Sequence, residues 1–397
     1  MNNLLQLQAS LQALEGWVIA NDFKGWDPFD ALRSPVLSKL TFGNRQLGQL
    51  WVQLFKHSPI NLRPLFGVRK GYNPKGMGLL LSTYARRFVA LERAEDLEKA
   101  QFFANWLIEN ISTGYRGACW GYNFDWPNRG FFAPAGTPTI VNTGFIGLAF
   151  LDFAQALRKT NQSSDSATQT AISACEFILT DLNQATGDNE LCFSYTPIDH
   201  RYIHNANMLG AWLLSEVYLQ NHNSSYAENA LKAANFTAHR IESSGAWKYG
   251  VNSIDNWADN FHTGYVLVGL KRVSKNLDIN EFGEQISLGY EFWKNNFFLP
   301  DGTSKYYSNS AYPIDSHSAA QAILTFLEFT DVDPEALVWA CRVAEWGCAK
   351  MQDPKGYFYY QKNRLYVNKI PYMRWSEAWM LHALTDLQIK LEERELL

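Results

Sequence analysis

WGYNFDWPNRGFFAPAGTPTIVNTGFIGLAFLD, residues Trp120 to Asp152, contains the unit from which the chain is built. It begins with a short aromatic segment, continues through a proline-spaced loop and ends in an apolar helix that opens at Asn142. Loops that face only water are usually built from small polar residues, so aromatic rings around Asp125 indicate a surface that holds a flat, polar ligand. The rest of the chain repeats this plan.

Apolar helices with few charges recur at regular intervals. Five equivalent points can be aligned, at spacings of 65, 55, 55 and 58 residues: Asn142, Asn207, His262, His317 and Trp375. A short aromatic segment precedes each point, and a helix with one apolar and one polar face lies between successive points. This period indicates a row of helical hairpins.

We predict that the inner helices are buried on all sides and cover residues 76–93, 142–157, 205–220, 262–273, 317–329 and 375–389. Outer helices are predicted at 96–110, 167–182, 226–241, 279–296 and 334–351. Residues 1–57 supply the sixth outer position as closing N-terminal helices. In a ring the first and last hairpins cover each other's apolar faces, which an open row would expose. The sequence therefore predicts an all-α fold, one (α/α)6 toroid of residues 1–397 with short β-like segments in the loops at one mouth.

Composition limits the function classes. The net charge of −4 without a basic run excludes the electrostatic footprint of a nucleic-acid-binding protein. The five cysteines form no CxxC pair, and no run approaches the roughly 20 apolar residues of a membrane-spanning helix. We predict a cytoplasmic bacterial protein without a membrane span, metal or cofactor, and the oligomeric state stays open.

The inner helices of such a ring point their N-termini at one end, so the loops before them converge on a funnel mouth. Five residues in or next to these loops are candidates for proton transfer: Asp125, Asp259, His262, Asp315 and His317. An acid close to a histidine can orient the imidazole as a general acid or base, and aromatic neighbours would raise the pKa of a carboxyl. Asp259 and Asp315 also occupy helix starts, where the ordinary role of an acid is N-capping.

Sugar binding needs aromatic faces that stack on pyranose rings together with polar groups that bind hydroxyls or carboxylates. The candidate substrate-binding residues near the mouth combine these types: Tyr72, Asn73, Tyr122, Trp126, Arg129, Asn142, His204, Asn207, Trp257, Tyr306, Arg374, Trp375 and Glu377. Some of the aromatic residues would equally serve as packing between hairpins. His200 and His204 lie four residues apart, but no further ligands at a matching spacing accompany them, so no metal site is predicted.

Two strings carry a family resemblance: GYNFDW at 121–126 and YPIDSHSAAQ at 312–321. They resemble a poorly characterised bacterial family that is associated with capsular or exopolysaccharide biosynthesis, and the resemblance spans nearly the whole chain. The hairpin repeat looks like the six-hairpin glycosidase superfamily, which includes unsaturated glucuronyl hydrolases and the helical domains of uronyl epimerases and polysaccharide lyases. This second resemblance is one of architecture, and it transfers no catalytic pair.

The resemblance and the mouth residues together predict a carbohydrate-active enzyme that acts on a poly- or oligosaccharide containing uronic acid. Glycoside hydrolysis would use two carboxyls, or one carboxyl and water, whereas elimination or C5 epimerisation would use a base and a group that stabilises the enolate. The alternative is a non-catalytic glycan-binding or scaffold protein of a polysaccharide assembly pathway. Toroids that process prenyl groups are disfavoured, because neither a zinc triad nor a DxDD segment is present.

Overall fold

Six helices surround a central bore. The structure, a computed structural model, describes residues 2–128 and 130–395. The helices that line the bore are α4 (Pro74–Leu91), α6 (Ile140–Lys159), α8 (His204–Asn221), α10 (Asn260–Asn276), α12 (Ser316–Glu328) and α14 (Ala378–Glu395). Each packs against the next, and α14 packs against α4, so the ring is closed. The predicted (α/α)6 toroid is confirmed.

The outer layer covers the ring with one helix per hairpin. Its members are α1 (Asn2–Ala20), α5 (Ala94–Glu109), α7 (Asp165–Thr180), α9 (Ser224–Ala238), α11 (Gly283–Asn296) and α13 (Ala336–Met351). The inner helix that the sequence placed from Asn142 begins at Ile140 instead. The reason is that Thr139 is its N-cap, with an Oγ1 that accepts a hydrogen bond from the Asn142 N–H at 3.0 Å.

The N-terminal helix α1 closes the outer layer against α13 and α14. Leu11, Leu14 and Val18 on its inner face are buried. The Glu15 carboxylate accepts hydrogen bonds from Arg87 of α4 at 2.7 and 2.8 Å, which fixes α1 to the first hairpin as well as to the last. The helix therefore joins the two ends of the ring.

Residues 21–73, here called the cap, lie at the mouth of the toroid. They contain α2 (Leu37–Leu40), α3 (Arg45–His57) and a small hydrophobic cluster of their own. Arg45 donates a hydrogen bond to Asn128 O at 3.2 Å, and Asn368 donates one to Lys56 O at 3.3 Å. The sequence assigned all helices up to residue 57 to the outer layer, but α1 alone takes that position and the cap helices bridge two loops of the mouth.

Short antiparallel strands stiffen those loops. One pair is β1 (Trp126–Pro127) with β2 (Phe132–Ala133), and a second is β3 (Gln184–Gly187) with β4 (Glu190–Phe193). The four strands β5 (Lys305–Tyr307), β6 (Ser310–Asp315), β7 (Gln361–Lys362) and β8 (Val367–Asn368) form one sheet in this order. This sheet connects the loops of the last two hairpins, because Ile314 pairs with Lys362 and Asp315 with Gln361.

Polar side chains near the start of several inner helices hold the neighbouring aromatic segments in place. Asn207 accepts a hydrogen bond from Phe193 N at 3.1 Å and donates one to Ala233 O at 2.8 Å. Glu377 accepts one from Phe358 N at 2.8 Å. Asn207 and Glu377, which the sequence predicted to bind substrate, therefore lie in the packed interface between helix and loop.

The inner helix α6 is long and apolar enough to cross a membrane by length and composition alone. In the structure 72% of its apolar window is buried inside the protein, where it packs against α4, α7 and α8. Its hydrophobicity is therefore accounted for by its place in the ring.

Candidate active site

Three aromatic rings lie across the bore at the level of the first turns of the inner helices. Phe145, Tyr265 and Trp379 contact one another with ring centroids 5.2 to 5.8 Å apart. We call this layer the septum. Loop and helix-start residues cluster on its mouth side and include most of the candidate site, and we call this cluster the chamber.

The best-formed pair of an acid and a histidine in the chamber is Asp259 with His262. The Asp259 side chain is fully buried, and its Oδ2 lies 2.7 Å from His262 Nδ1. Its Oδ1 accepts a hydrogen bond from the His262 backbone N–H at 3.1 Å, so the same carboxylate also caps α10. With Nδ1 directed at the carboxylate, the Nε2 lone pair is available on an imidazole that is 21% exposed. This arrangement fits a general base.

His317 is held by a phenol. Its Nε2 lies 2.6 Å from the hydroxyl of Tyr265, and its ring is stacked between Phe261 and Trp379 at centroid distances of 4.5 and 4.6 Å. Burial, together with nearby positive charge, holds the pKa of His317 well below its usual value, while burial raises the pKa of Tyr265. The pair is therefore neutral at physiological pH, and the hydrogen bond fixes the orientation of the Tyr265 hydroxyl.

Lys75 projects from the second residue of α4 onto the septum. Its Nζ lies 4.5 Å from the ring centre of Phe145, 5.2 Å from Trp379 and 5.7 Å from Tyr265. Burial and the nearby Arg374 hold the pKa of Lys75 well below its usual value. No acceptor among the described residues hydrogen-bonds this amine, so a ligand or water must complete its environment.

Arg374 forms the second cationic group of the chamber. It lies in a π-helical turn at Met373–Glu377, a distortion of the kind that often occurs at functional sites. Its Nε and Nη2 donate to the Asp27 carboxylate of the cap at 2.5 and 2.8 Å. The guanidinium also lies 5.1 Å from the ring centre of Tyr122. The cap therefore occupies two of the donors that the sequence offered to a substrate carboxylate.

Tyrosines line the opposite wall of the chamber. Tyr122 and Tyr195 share a hydrogen bond between their hydroxyls, and burial raises the pKa of both. Tyr249 stacks on Trp257 at 4.7 Å and an angle of 16°, and its ring centre is 4.5 Å from that of His262. Half-buried rings of this kind present both a stacking face and a hydroxyl to a ligand.

Two further aromatic candidates also belong to the mouth. Trp126 packs edge-on against Tyr122 at 5.8 Å, and Tyr306 packs edge-on against Phe261 at 5.6 Å. Both candidate side chains are half-buried. They lie where a sugar that enters the chamber would meet an aromatic face.

Asp315 is a structural carboxylate. It caps α12 by accepting a hydrogen bond from His317 N at 2.8 Å, and it also accepts from Trp375 Nε1 at 3.0 Å and Gln361 Nε2 at 3.2 Å. Burial raises its pKa to about 6. The group does not contact the His317 imidazole, which the sequence had expected it to orient.

Asp125 lies apart from the catalytic pairs. It is half-buried and accepts a hydrogen bond from Ala135 N at 2.8 Å, which closes the loop around β1 and β2. This contact gives the carboxylate a turn-stabilising role. Arg129, a further candidate of the same loop, lies outside the described residues.

Tyr72 and Asn73 are placed behind the mouth. The Tyr72 ring packs against Trp106 at 5.4 Å, on the outer layer of the first hairpin. Asn73 caps α4 through Lys75 N at 3.1 Å and donates to Asn123 Oδ1 at 3.2 Å. The Asn73 side chain and the Tyr72 carbonyl, which accepts a hydrogen bond from Asn123 Nδ2, therefore support the loop that contains Tyr122.

His204 and Asn142 are buried in the helix packing. The His204 ring lies 5.9 Å from that of Phe236 of the outer layer, and burial lowers its pKa to about 4. The Asn142 amide is fully buried, and neither of its polar atoms has a partner among the described residues. His204 borders a small cavity together with Asp259 and His262, but no hydrogen bond among the described residues joins its side chain to either.

Three residues of the chamber were not among the sequence candidates: Lys75, Tyr265 and Asp27. Tyr265 lies inside an apolar helix, where nothing in the local pattern separates it from core aromatics. Its position one turn after His262, on the bore-facing side, could have identified it. Within the described residues no group of three or more histidine, cysteine or carboxylate side chains is arranged to hold a metal ion.

Comparison with known proteins was made by sequence and by structure. No protein-family model matches the chain, and no curated protein matches it in sequence. Solved structures share its fold. A sugar epimerase from a ruminal bacterium aligns with a TM-score of 0.63 at 14% identity, over 83% of this chain and 90% of that one.

Two other structures extend the similarity. Cellobiose 2-epimerase from Bacillus thermoamylovorans gives a TM-score of 0.64 at 12% identity, over 83% of this chain and 90% of that one. An unsaturated glucuronyl hydrolase specific for heparin gives 0.63 at 11% identity, over 98% of both chains. The chain has the six-hairpin toroid fold. At these identities the similarity establishes the fold, and the reaction has to be argued from the site.

Proposed function

We propose that this protein is a carbohydrate-active enzyme that moves a proton at a sugar carbon, by epimerisation or elimination on a saccharide containing uronic acid. The observation that carries the proposal is the presence of two differently held histidines in one chamber, Asp259–His262 and Tyr265–His317. The carbohydrate-active neighbours of the same fold support the substrate class.

His262 is the base in this scheme. Its Nδ1–H is held by the Asp259 carboxylate, so Nε2 accepts the proton from carbon while the buried anion stabilises the imidazolium that forms. The Tyr265 ring centre is 6.2 Å from that of His262 and 6.1 Å from that of His317. Tyr265 is therefore close enough to His262 to act as the proton donor: its hydroxyl gives a proton to the sugar carbon, and solvent later reprotonates the phenolate and takes the proton from His262 Nε2.

The basic residues Lys75 and Arg374 favour a uronate as the substrate. Removing the C5 proton of a uronic acid places negative charge on the adjoining carboxyl group, and this charge must be neutralised in the transition state. Arg374 lies close enough to Lys75 to lower the pKa of its amine, and Lys75 has no hydrogen-bond acceptor among the described residues. A substrate carboxylate placed between them would satisfy that requirement.

Hydrolysis by two carboxyls has less support. Such a reaction needs one free acid and one free base or nucleophile that flank the scissile bond. Asp315 is committed to the helix cap and to two side-chain donors, Asp259 to His262, and Asp125 to Ala135 N. Each of the three carboxyls that the sequence offered therefore already has a structural or orienting partner.

The test is proton exchange at carbon. The enzyme is incubated in D2O with uronate-containing oligosaccharides, and C5 deuterium incorporation is followed by NMR, with the ultraviolet absorbance of a new C4–C5 double bond as the readout for elimination. We expect one of these signals in the wild type and none in His262→Ala. New reducing ends without deuterium or a double bond would instead establish hydrolysis and overturn the proposal.

Asp259→Asn and Asp125→Asn form a matched pair for the same assay. Asn retains the cap of α10 but cannot hold the Nδ1 proton as a carboxylate does, so we expect kcat to fall by roughly 100-fold or more in Asp259→Asn. Asp125→Asn should stay within about threefold of the wild type. Equal losses in both variants would contradict the assigned base. Saturable glycan binding with no product from any variant would favour the scaffold alternative.

A further inference from the structure

The lower half of the bore, on the far side of the septum from the mouth, contains a separate cavity. It has a volume of about 570 Å³ and extends from Phe145, Tyr265 and Trp379 to the last turns of the inner helices. Ala90 of α4 and Glu328 of α12 lie at that far end. Cavities of roughly 300–1,000 Å³ are the usual size of small-molecule sites.

A buried histidine faces this cavity with a free acceptor. His382 is 6% exposed, and its Nδ1 lies 3.1 Å from Thr83 Oγ1. The Thr83 hydroxyl already donates to Leu79 O at 2.7 Å, so it must accept from Nδ1–H. Burial keeps the pKa of His382 below its usual value, and the imidazole is neutral. Its Nε2 is therefore a lone-pair acceptor, and the nearest carboxylate, Asp386, is 3.9 Å away.

A second buried side chain, that of Gln321, also has a hydrogen-bond acceptor without a donor. Gln321 is 3% exposed and lines the cavity. Its amide nitrogen donates to Thr325 Oγ1 at 3.1 Å, while no donor among the described residues reaches its Oε1. Two acceptors of the lower bore thus lack donors, which is unusual for side chains that are more than nine-tenths buried.

The charged groups of the wall are already paired. Arg86 donates to Asp152 at 2.9 Å and to Asp386 at 2.7 Å. Arg272 donates to Glu328 at 2.5 Å. Lys390, the remaining lining cation among the described residues, lies 3.4 Å from Glu393. Each of these cations thus has a carboxylate partner that offsets its charge, although Arg272 Nε has no acceptor among the described residues.

Aromatic surface completes the lining. The half-buried Trp212 forms part of the side wall, and Trp379 of the septum forms part of the closed end. Indole faces pack well against the C–H faces of sugar rings. The wall therefore combines apolar faces, acceptors without donors and cations whose charge is offset by carboxylates, while Trp379 Nε1 and Arg272 Nε are donors without an acceptor among the described residues.

From these features we infer that the lower bore is a second binding site, for a neutral polyhydroxylated ligand of monosaccharide size. The hydroxyls of such a ligand would donate to His382 Nε2 and Gln321 Oε1, while its ring packs against Trp212. An anionic ligand is disfavoured because the arginines are paired. The inference does not depend on the chemistry proposed for the mouth, because none of these three residues belongs to that site.

The test uses three probes of similar size and different charge: glucose, glucosamine and glucuronate. The indole N–H signals of Trp212 in the lower bore and Trp257 in the mouth are followed by NMR during each titration. We expect glucose to shift the Trp212 signal saturably and more tightly than either charged sugar. A stronger response of Trp212 to glucosamine or glucuronate would overturn the neutral-ligand assignment, and so would a Trp212 signal that glucose leaves unchanged.

Two variants localise the site. Ala90→Trp adds bulk at the exposed rim, and Gln321→Met removes one acceptor at nearly constant volume; each should weaken the glucose response of Trp212 at least tenfold. The mouth variant His262→Ala should leave this response unchanged while it abolishes proton exchange. Wild-type affinity in both lower-bore variants would overturn the site, whatever the outcome of the exchange assay.

Discussion

His262 and His317 lie at matching points of adjacent hairpins, but a carboxylate holds one and a phenol holds the other. The sequence identified both histidines and expected each acid to orient its neighbour. Asp259 precedes His262 by three residues and reaches both its N–H and its ring, whereas Asp315 precedes His317 by two and reaches only the N–H. One residue of spacing thus decides whether an N-cap also orients an imidazole.

Lys75 gives a prediction about substrate charge. Replacing it by methionine keeps the apolar stem in the aromatic surroundings but removes the cation, so kcat/KM for a uronate substrate should fall by roughly 10- to 100-fold. A neutral analogue of the same sugar should lose much less. Comparing kcat/KM for the two substrates measures the difference, and equal losses would show that Lys75 does not contact the carboxylate.

The lowered pKa of Lys75 also predicts a pH dependence in the wild type. Only the protonated amine attracts a carboxylate, so KM for the uronate should rise as the pH increases through a value below the ordinary range of lysine. The pH profile of KM should lose this step in Lys75→Met. A step retained in the variant would assign it to another group.

Asp315 gives a prediction about stability. Its folded pKa of about 6 lies above the ordinary 3.8, so its contribution to stability is greatest below about pH 4 and is lost as the pH rises through about 6. At neutral pH the buried charge costs on the order of 3 kcal/mol. Asp315→Asn keeps the cap, and denaturant unfolding should show it to be more stable than the wild type at about pH 8 but not at about pH 4.

Asp30→Asn is the matched control for Asp315→Asn. Burial also raises the pKa of Asp30 to about 6, but its Oδ1 accepts from the fully buried Arg63 at 2.6 Å. Removing this anion leaves a buried guanidinium unpaired and should lower stability by roughly 3–5 kcal/mol. A stabilising effect of Asp30→Asn would contradict the distinction between the two carboxyls.

At the scale of elements, the cap is fastened to the ring by a few buried contacts. Asp27→Ala removes the partner of Arg374, and Arg63 with its hydrogen bond to Tyr372 remains as the other anchor. We expect hydrogen exchange of the α3 amides to become several-fold faster while exchange in α10 is unchanged. Lys24→Ala, which breaks an exposed pair with Asp22, should leave both rates as they are.

The cap was the element that the sequence placed least well. The apolar periodicity of α3 is that of any amphipathic helix, and it does not reveal which surface the helix covers. The polar residues at helix starts were also difficult to assign from the sequence. Asn207 and Glu377 are residue types that are common in binding loops, but in the structure they hold neighbouring segments in place. Their partners come from other segments, which local patterns do not specify.

At the scale of the whole molecule, the repeat was enough to predict a closed ring. Closure of the ring predicts that it unfolds as one unit, because α1 contacts both the first and the last hairpin. Leu14→Ala, at a fully buried position of α1, should cost about 2–5 kcal/mol and shift a single unfolding transition of the entire ring. Leu5→Ala, at a 63% exposed position of the same helix, is the control and should have little effect.

This cooperativity is tested by comparing the unfolding midpoints that two different probes report. Tryptophan fluorescence and far-ultraviolet circular dichroism should report the same midpoint for the wild type and for Leu14→Ala. A row of hairpins without closure can instead unfold from its ends. Separate midpoints would show that α1 detaches before the ring opens.

The septum of Phe145, Tyr265 and Trp379, with His317 and Lys75 packed against it, separates the mouth from the lower bore. If these rings rotate aside, a linear glycan could thread from the mouth through the lower bore, and substrate and product would no longer share an entrance. Such a passage would make the protein directional, with one face that admits a chain and another that releases it.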